Sequence, residues 1–535
     1  MIRNLHVEKI ILKTGAYHRN LDSYLISAYN SLFMIRKILI ANRGEIALRI
    51  VRTCRELDIE SVAVYSTPDR LAPHVLYADE AYHIGEAPSS ESYLQIDRLI
   101  DTAKRAECDA VHPGYGFLSE NPAFAGSVRD AGLIFIGPHA ESIAAMGDKV
   151  AARKKVREAG VPVIPGVEEP AGDPDRVAAA AEDIGYPVLI KAVGGGGGKG
   201  MRIVHTAEEM EKSLSAASSE AESSFGDPRI YLEKYLEEPH HIEIQILADR
   251  HGNTVHLFER ECSVQRRYQK IIEESPSPFM TSELREKMGD AAVRVAEACD
   301  YVNAGTVEFL VDKHRNFYFL EMNTRLQVEH PVTEQITGID LVQMQIRVAD
   351  DAPLPWAQEE IPRSGHAIEC RVYAEQPEHN FAPSTGKITD MHVPDGLGIR
   401  FDGGVYPGLE ITPHYDPMIG KLICSGNSRE EALSRSVRAL EEFSITGVST
   451  SLGFCRNVMQ FGRFSRGEYD THLLPDHLDD ILELGEGRPD SYVSAGIAAA
   501  VRMHEENGES RHAQTRRDTT SSSWKRTGRR REMNR

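Results

Sequence analysis

Residues 35–66 predict a β-strand, a helix and a second strand in immediate succession. Residues 35–41 form a short apolar run, an Asn-Arg-Gly turn follows at 42–44, and apolar side chains then recur at helical spacing through 45–57. Residues 61–66 form a second apolar run. Because strands joined by a helix pair in parallel through a right-handed crossover, this segment predicts an open α/β sheet covered by helices.

The turn after the first strand argues against an NAD-linked dehydrogenase. Such an enzyme carries a G-x-G-x-x-G pattern between its first strand and helix, where the backbone approaches the pyrophosphate. Asn42, Arg43, Gly44 and Glu45 do not supply that pattern. We therefore expect a Rossmann-like first domain that does not bind a dinucleotide at this turn.

The length of 535 residues fits three or four domains. A Pro-rich link at 352–356 and a shift to polar composition past about residue 485 mark two of the boundaries. The expected segments are an extension or mis-assigned start at 1–33, a first domain at 34–147, a second at 148–350, a third at 351–480, and a polar to basic tail at 481–535.

The charge balance excludes several classes of protein. A net charge of −20 disfavours a general binder of nucleic acid or of anionic membranes, which needs a surplus of Lys and Arg.

No apolar run reaches 18 residues, so no spanning helix is predicted. The seven cysteines are widely spaced without a C-x-x-C pair, which is typical of reduced thiols in a cytoplasmic protein.

The two ends of the chain each leave two interpretations open. Residues 1–33 lack the pattern of a secretory signal and are either an over-extended start or an accessory segment. Residues 511–535 carry a net charge of +7, which fits either a solvated disordered tail or a docking segment for an acidic partner.

A glycine run at residues 194–198 is followed by Lys199 and Gly200. A P-loop would need a glycine at position 193 and a Ser or Thr at position 200, and neither is present. Because apparent strands stand on both sides of the run, a hairpin tip that closes over phosphates is favoured over a passive linker. Lys149 and Lys191 carry charges suited to a triphosphate.

Residues 306–312 and 316–323 look like two strands joined by a tight turn. A two-residue turn would place Glu308 directly opposite Glu321, and like charges so close repel unless a cation lies between them. Asn323 would face the same way. These oxygen ligands predict a site for Mg²⁺ or Mn²⁺; a one-residue slip that leaves two exposed glutamates is the alternative.

The next residues continue the polar spacing with Arg325, Gln327 and Glu329. An extended segment would direct them into one space, giving a forked cation for a small planar anion beside a carboxylate able to act as a base. A second cationic cluster lies at 265–270. In an acidic protein this convergence predicts a site for an anionic substrate.

Eight motifs, in this order and spacing, resemble biotin carboxylase, the ATP-grasp component of acetyl-CoA, propionyl-CoA and pyruvate carboxylases. They are ANRGEIALRI (41–50), HPGYGFLSEN (112–121), MGDKV (146–150), KAVGGGGGKGMR (191–202), EKYLEEPHHIEIQ (233–245), QRRYQK (265–270), EMNTRLQVEHPVTE (321–334) and HYDPMIGKLI (414–423). The resemblance implies an α/β and α+β fold, with a Rossmann-like N-terminal domain, an ATP-grasp domain with a glycine-rich flap, and a C-terminal mixed β domain.

The resemblance also implies a reaction and a set of site residues. ATP would phosphorylate bicarbonate to carboxyphosphate, whose CO₂ is then passed to biotin. For ATP the implied residues are Lys149, Lys191, Gly197, Gly198, His241 and Tyr268, with Glu233, Lys234, Tyr235 and Leu236 at the adenine. Glu308, Glu321 and Asn323 would bind the metal. Through that metal, Glu308 and Glu321 would also bind ATP. Bicarbonate would be bound by Lys270, Arg325, Gln327 and the Val328 backbone. Glu329 would act as the base, and Arg371 would stabilise the biotin enolate.

One departure from the family and one absent feature bear on this expectation. Tyr268 stands where the family usually has histidine, so that phosphate contact loses its charge. No lysine between two methionines is found in a hairpin context, so biotin is expected on another polypeptide, a biotin carboxyl carrier protein or a biotinylated carboxyltransferase subunit. The resemblance implies a homodimer. Another ATP-grasp ligase with an acyl-phosphate intermediate, or a non-catalytic ATP-binding regulator, remains an alternative.

Overall fold

The structure is a computed structural model, and it describes residues 34–166, 174–192, 201–225, 229–484 and the single residue 502. The expected extension at 1–33, the flap glycines Gly197 and Gly198, and nearly all of the tail lie outside the described residues. Among the described residues, no helix is both long and apolar enough to cross a membrane.

A five-stranded parallel sheet opens the described chain, as the strand, helix and strand at 35–66 predict. Helix α1 buries its apolar face, including Ile46 and Ile50, against this sheet. The strand order is β3-β2-β1-β4-β5. The elements are β1 (Lys37–Ile40), α1 (Gly44–Glu56), β2 (Glu60–Ser66), α2 (Pro73–Tyr77), β3 (Glu80–Gly85), α3 (Ile96–Arg105), β4 (Ala110–His112), α4 (Pro122–Asp130) and β5 (Ile134–Phe135).

A three-stranded antiparallel sheet of order β7-β6-β8 carries the strands on either side of the glycine run. Lys191 pairs with Met201 next to the run, so the predicted antiparallel pairing is confirmed, while the tip lies outside the described residues. The elements are α5 (Ala140–Gly147), α6 (Lys149–Glu158), α7 (Pro174–Ile184), β6 (Val188–Ala192), β7 (Met201–Val204), α8 (Ala207–Phe225) and β8 (Ile230–Lys234).

The largest sheet among the described residues is an eight-stranded antiparallel sheet in the order β13-β12-β9-β10-β11-β14-β21-β19. It continues across the boundary expected near residue 350, because β11 pairs with β14. Its elements up to β14 are β9 (His240–Ala248), β10 (Thr254–Arg266), β11 (Gln269–Ser275), α9 (Ser282–Ala298), β12 (Asn303–Val311), β13 (Phe317–Asn323), α10 (His330–Thr337), α11 (Leu341–Ala349) and β14 (His366–Tyr373).

The rest of the chain adds the last two strands of that sheet, three two-stranded ribbons and a layer of helices. The helices pack on Ile368, Leu422 and neighbouring apolar residues. The elements are β15 (Glu375–Gln376), β16 (Ala382–Pro383), β17 (Gly386–Lys387), β18 (Asp390–His392), β19 (Ile399–Gly403), β20 (Glu410–Ile411), β21 (Met418–Gly426), α12 (Arg429–Glu442), β22 (Ser444–Thr446), α13 (Leu452–Gln460), α14 (Gly462–Arg466) and α15 (Leu473–Glu483).

The β12–β13 hairpin pairs Glu308 directly with Glu321, as predicted. The predicted two-residue turn is wrong, because Asp312 and Asn316 close a three-residue loop. A register shift between Glu308 and Phe309 compensates for the extra residue, since one bulged residue moves a strand by one position. Glu308 and Glu321 therefore face each other because the three-residue loop and the register shift act together.

Candidate active site

Lys270 on β11 holds three carboxylates together. Its Nζ donates to Glu243 Oε2 at 2.6 Å, to Glu308 Oε1 at 2.9 Å and to Glu329 Oε1 at 2.7 Å. All three glutamates are buried. Sequence reasoning missed Glu243, although His241, Glu243 and Gln245 alternate with isoleucines along β9 and that alternation places three polar side chains on one face.

The pair formed by Glu308 and Glu321 has the character of a cation site. The Nε2 atom of His241 lies 2.8 Å from Glu308 Oε2, and Asn323 Nδ2 donates to Glu308 Oε1 at 2.8 Å. Burial and the Glu308 charge raise the pKa of Glu321. The donors are hard oxygens, and a divalent cation would relieve the repulsion between the carboxylates, so these residues fit Mg²⁺ or Mn²⁺.

Glu329, the predicted proton acceptor of the anion site, lies where α10 begins. Pro331 stands in the first turn of α10 and Glu329 at its N-cap, because proline suits the start of a helix. Arg325 Nη1 donates to Gln327 Oε1 at 3.0 Å, and Gln327 Nε2 donates to Glu308 Oε1 at 3.2 Å. Arg325, Gln327 and Glu329 are linked to the Glu308–Glu321 pair through these contacts and through Lys270. The segment that carries them is a turn and not an extended strand.

Two further contacts tie this segment to distant parts of the chain. Arg325 Nε donates to Glu120 Oε2 at 2.7 Å, which brings in a carboxylate of the first domain. The carbonyl of Val328 accepts from Lys421 Nζ at 2.7 Å, and Lys421 is fully buried beside Glu45. The motifs that hold Glu120 and Lys421 are recognisable in the sequence, but sequence reasoning assigned neither residue a role.

Arg371 of β14 spans two carboxylates. Its Nη2 donates to Glu329 Oε2 at 3.0 Å and its Nε donates to Glu273 Oε1 at 2.6 Å. Burial alone would raise the pKa of Glu329, but the charges of Lys270, Arg371 and Arg260 outweigh it and hold this pKa well below its usual value. Glu329 is therefore ionised at neutral pH and able to accept a proton.

Arg260 holds Glu243, the carboxylate that contacts Lys270. Sequence reasoning assigned no role to Arg260. It is fully buried on β10. It pairs with Glu243 and donates through Nη1 to Gln245 Oε1 at 2.6 Å and through Nη2 to Thr306 Oγ1 at 3.0 Å. Its guanidinium fixes the carboxylate of Glu243, which in turn fixes Lys270.

Three of the residues expected at the nucleotide, Lys191, Glu233 and Lys234, lie on the three-stranded sheet. Lys149 begins α6 and is exposed. Lys191 and Arg153 both pair with the buried Glu233, while Lys234 Nζ donates to the carbonyls of Gly185 and Tyr186 at 2.8 and 2.9 Å. The ammonium of Lys234 is thus held by backbone oxygens.

Tyr235, Leu236, His241 and Tyr268 complete the expected set. Tyr235 and Leu236 are half-buried after β8, and the Tyr235 hydroxyl lies 3.1 Å from His472 Nε2. His241 is buried, with its Nδ1 2.9 Å from Gln265 Nε2. Tyr268 is 64% exposed at the turn between β10 and β11, where its φ of 65° and that of Arg267, 49°, are typical of a tight hairpin turn.

This arrangement combines oxygen ligands that fit a divalent cation, a cluster of cations that fits small anions, and an ionised carboxylate between Lys270 and Arg371. A carboxylate so placed can take a proton from an anion bound by its neighbours while the metal and lysines hold a phosphate chain. That chemistry is the activation of a small anion by ATP.

Comparison with known families and structures places the chain in a family. Three family models match: "Biotin carboxylase, N-terminal domain" over residues 34–143, "Carbamoyl-phosphate synthase L chain, ATP binding domain" over 148–357, and "Biotin carboxylase C-terminal domain" over 369–476.

Relatives at high identity cover the same part of the chain. Biotin carboxylase 2 of Bacillus subtilis is 52% identical over 445 residues, which are 83% of this chain and 100% of that one. The biotin carboxylase of Halalkalibacterium halodurans is 52% identical over 445 residues, 83% of this chain and 98% of that one.

A solved structure agrees with the fold. The biotin carboxylase domain dimer of the Hydrogenobacter thermophilus 2-oxoglutarate carboxylase, in complex with MgADP, ADP and bicarbonate, superposes with a TM-score of 0.79 at 47% identity and covers 83% of this chain and 98% of its own. The chain therefore belongs to the biotin carboxylase family, whose members are ATP-dependent ligases.

Proposed function

We propose that this chain is the biotin carboxylase component of an acyl-CoA or pyruvate carboxylase, and that it carboxylates biotin on a separate carrier protein with ATP and bicarbonate. The observation that carries the proposal is Glu329, an ionised carboxylate that accepts hydrogen bonds from both Lys270 and Arg371. A proton acceptor between two cations suits an enzyme that first phosphorylates bicarbonate with ATP and then transfers its CO₂ to biotin.

The nucleotide would be held by the charges already described. Lys149, Lys191 and His241 would contact the triphosphate, with the flap glycines closing over it, and the segment that follows Glu233 would line the adenine. Glu308, Glu321 and Asn323 would hold Mg²⁺ or Mn²⁺. The bound cation would neutralise the phosphate charge that develops during transfer.

Bicarbonate would lie beside Glu329. Lys270, Arg325, Gln327 and the Val328 backbone would bind it, and Glu329 would accept its proton. The freed oxygen attacks the γ-phosphorus of ATP, the bond to the β-phosphate oxygen breaks, and carboxyphosphate and ADP result. Bicarbonate shares the donors of Lys270 with Glu329, so its binding raises the proton affinity of that carboxylate when a base is needed.

Arg371 would act in the second half of the reaction. Carboxyphosphate breaks down to CO₂ and phosphate next to the ureido group of biotin. The released phosphate would accept the proton of the ureido nitrogen, and that nitrogen would attack the carbon of CO₂ to form carboxybiotin. Negative charge develops on the ureido oxygen in this step, and a preorganised guanidinium stabilises that charge. Arg371 is buried and held by Glu273 and Glu329, so it needs little reorganisation to do this.

The assembly and location form part of the same proposal. A carrier protein or biotinylated carboxyltransferase subunit would deliver biotin, and the final acceptor would be acetyl-CoA, propionyl-CoA or pyruvate. The dimer of the Hydrogenobacter domain supports a homodimer. The seven buried, unpaired cysteines support a cytoplasmic location, where thiols stay reduced.

Steady-state ATP hydrolysis tests the proposal. The purified chain is expected to hydrolyse ATP only with bicarbonate present and faster when free biotin is added, with carboxybiotin as product. Hydrolysis that another acid supports and biotin does not stimulate would identify a different acyl-phosphate ligase. ATP binding without hydrolysis would identify a non-catalytic regulator. Identification of the biotinylated protein that co-purifies from native cells would name the acceptor.

A further inference from the structure

Behind Arg371, two glutamates face each other across neighbouring strands. Glu273 of β11 pairs directly with Glu369 of β14, so their Cβ atoms are about 4.5–5.5 Å apart on one face of the sheet. Both residues have no exposed surface. Two ionised carboxylates at this separation, away from water, would repel each other strongly.

The hydrogen bonds distinguish the two members of the pair. Glu273 Oε1 accepts from Arg371 Nε at 2.6 Å, which fits an ionised carboxylate. Neither carboxyl oxygen of Glu369 has a hydrogen-bond partner among the described residues, and neither does Glu273 Oε2. A buried carboxylate without donors is unfavourable, whereas a protonated carboxyl has a hydrogen to share with an adjacent oxygen.

The neighbouring charges are already engaged elsewhere. Arg371 is shared with Glu329, and Lys421 lies beside Glu45 and donates to the Val328 carbonyl. The titratable and charged groups that influence the pair are Lys270, Arg371 and Lys421 as cations, Glu45 and Glu329 as anions, and Tyr115, Cys262 and Cys370 as neutral groups. Two extra anions would exceed the cations available to this face of the sheet.

We propose that Glu369 is a protonated positioning residue, which limits the pair that it forms with Glu273 to one negative charge. A single negative charge on the pair orients the Arg371 guanidinium through Nε. The positive charge of Arg371 then remains available to Glu329 and to the ureido oxygen of biotin. A second charge would draw the guanidinium back and oppose the negative charge that develops on the ureido oxygen. This inference rests on the proposed function for the role of Arg371, but not for the protonation of Glu369.

The electrostatics agree with this geometry. Burial raises the pKa of Glu369 well above its usual value, the Lys421 charge opposes that rise, and the Glu273 charge adds to it. Burial also raises the pKa of Glu273 to about 7, with the Arg371 charge acting against it. Raised values mean that protons are lost from the pair as pH rises, so biotin carboxylation falls on the alkaline side.

Two measurements on the full chain test the proposal, with E369Q as the test variant because glutamine mimics the neutral acid. Infrared spectroscopy is expected to show a protonated-carboxyl band in the wild type that is missing in E369Q. As pH rises above about 7, biotin-stimulated turnover of E369Q relative to wild type is expected to rise several-fold. E378Q, at an exposed position of the same domain, should follow the wild-type profile.

The opposite results would overturn the proposal. An infrared band that persists in E369Q, or parallel pH profiles for E369Q and wild type, would show that Glu369 is not the proton holder. If the wild type shows no biotin-stimulated hydrolysis at any pH, the proposed function fails, and the infrared band alone decides the state of Glu369.

Discussion

Glu308 and Glu321 lie directly opposite each other on β12 and β13, and the charge of Glu308 opposes ionisation of Glu321. Lys270, His241, Asn323 and Gln327 all contact Glu308 and partly offset this repulsion. A divalent ion between the two carboxylates would remove the remaining repulsion.

We expect E321Q to abolish metal-dependent stabilisation while leaving the metal-free fold as stable as wild type or more stable, by up to about 1 kcal/mol. The change removes one of two repelling charges and one oxygen ligand. Thermal unfolding with and without Mn²⁺, and the electron paramagnetic resonance signal of bound Mn²⁺, measure both effects. E283Q, at an exposed helical site, serves as the control, and an unchanged Mn²⁺ signal in E321Q would remove this residue from the metal site.

E329Q should lower bicarbonate-dependent turnover by at least about a hundredfold, because glutamine keeps the shape but cannot accept the proton. R325A should also lose turnover, since it removes the forked cation of the anion site. ATP affinity, measured by calorimetry, should change little in either variant. Wild-type turnover in E329Q would contradict the assignment of the base.

K421M should destabilise the fold by about 3–5 kcal/mol, because it leaves Glu45 buried without its cation and the Val328 carbonyl without a donor. Urea unfolding measures the change. The double variant E45Q/K421M should regain part of the loss, since the unpaired charge is then removed as well. Equal stabilities of the single and double variants would show that Glu45 and Lys421 are not coupled.

The buried Glu274 should make the protein sensitive to acid. Burial would raise its pKa, but the hydrogen bond with His366 and the Arg429 charge lower it to about 2. Because the folded-state pKa lies below the unfolded value, the stabilisation of about 3 kcal/mol is present above about pH 4.5 and is lost as pH falls towards 2. Unfolding free energies measured across this range should converge for E274Q and wild type as pH falls; a constant difference would refute the prediction.

Y268H is expected to leave stability unchanged or slightly higher, because the side chain is exposed and histidine accepts a positive φ more readily than tyrosine. If Tyr268 lies next to the phosphates, the added imidazolium should lower the KM for ATP below about pH 6.5 and not above it. A KM that is the same at both pH values would place residue 268 away from the phosphates.

The sequence predicted those parts of the site that lie close together along the chain. The pairing of Glu308 with Glu321 and the pairing of the two strands beside the glycine run follow from local patterns, and both are confirmed. The length of the turn was wrong because the bulge that compensates for it leaves no mark in a pattern of alternating residues.

The missed residues act on partners that are distant in sequence. Glu243 meets Lys270, and Arg260 meets Glu243, only when β9, β10 and β11 pair. Glu369 meets Glu273 only through the β11–β14 pairing. A single sequence shows that these strands carry buried charges, but not which charge faces which. Strand order and register decide that, and both depend on long-range packing.

The pairing of β11 with β14 also bears on how such enzymes diversify. A recombination event between β13 and β14 would combine Glu273 of one parent with Glu369 and Arg371 of the other, and it would pair a β11 and a β14 that did not evolve together. Segments from the two sides of that junction should therefore be inherited together. Functional chimaeras between carboxylases are expected when residues 148–480 are exchanged as one block.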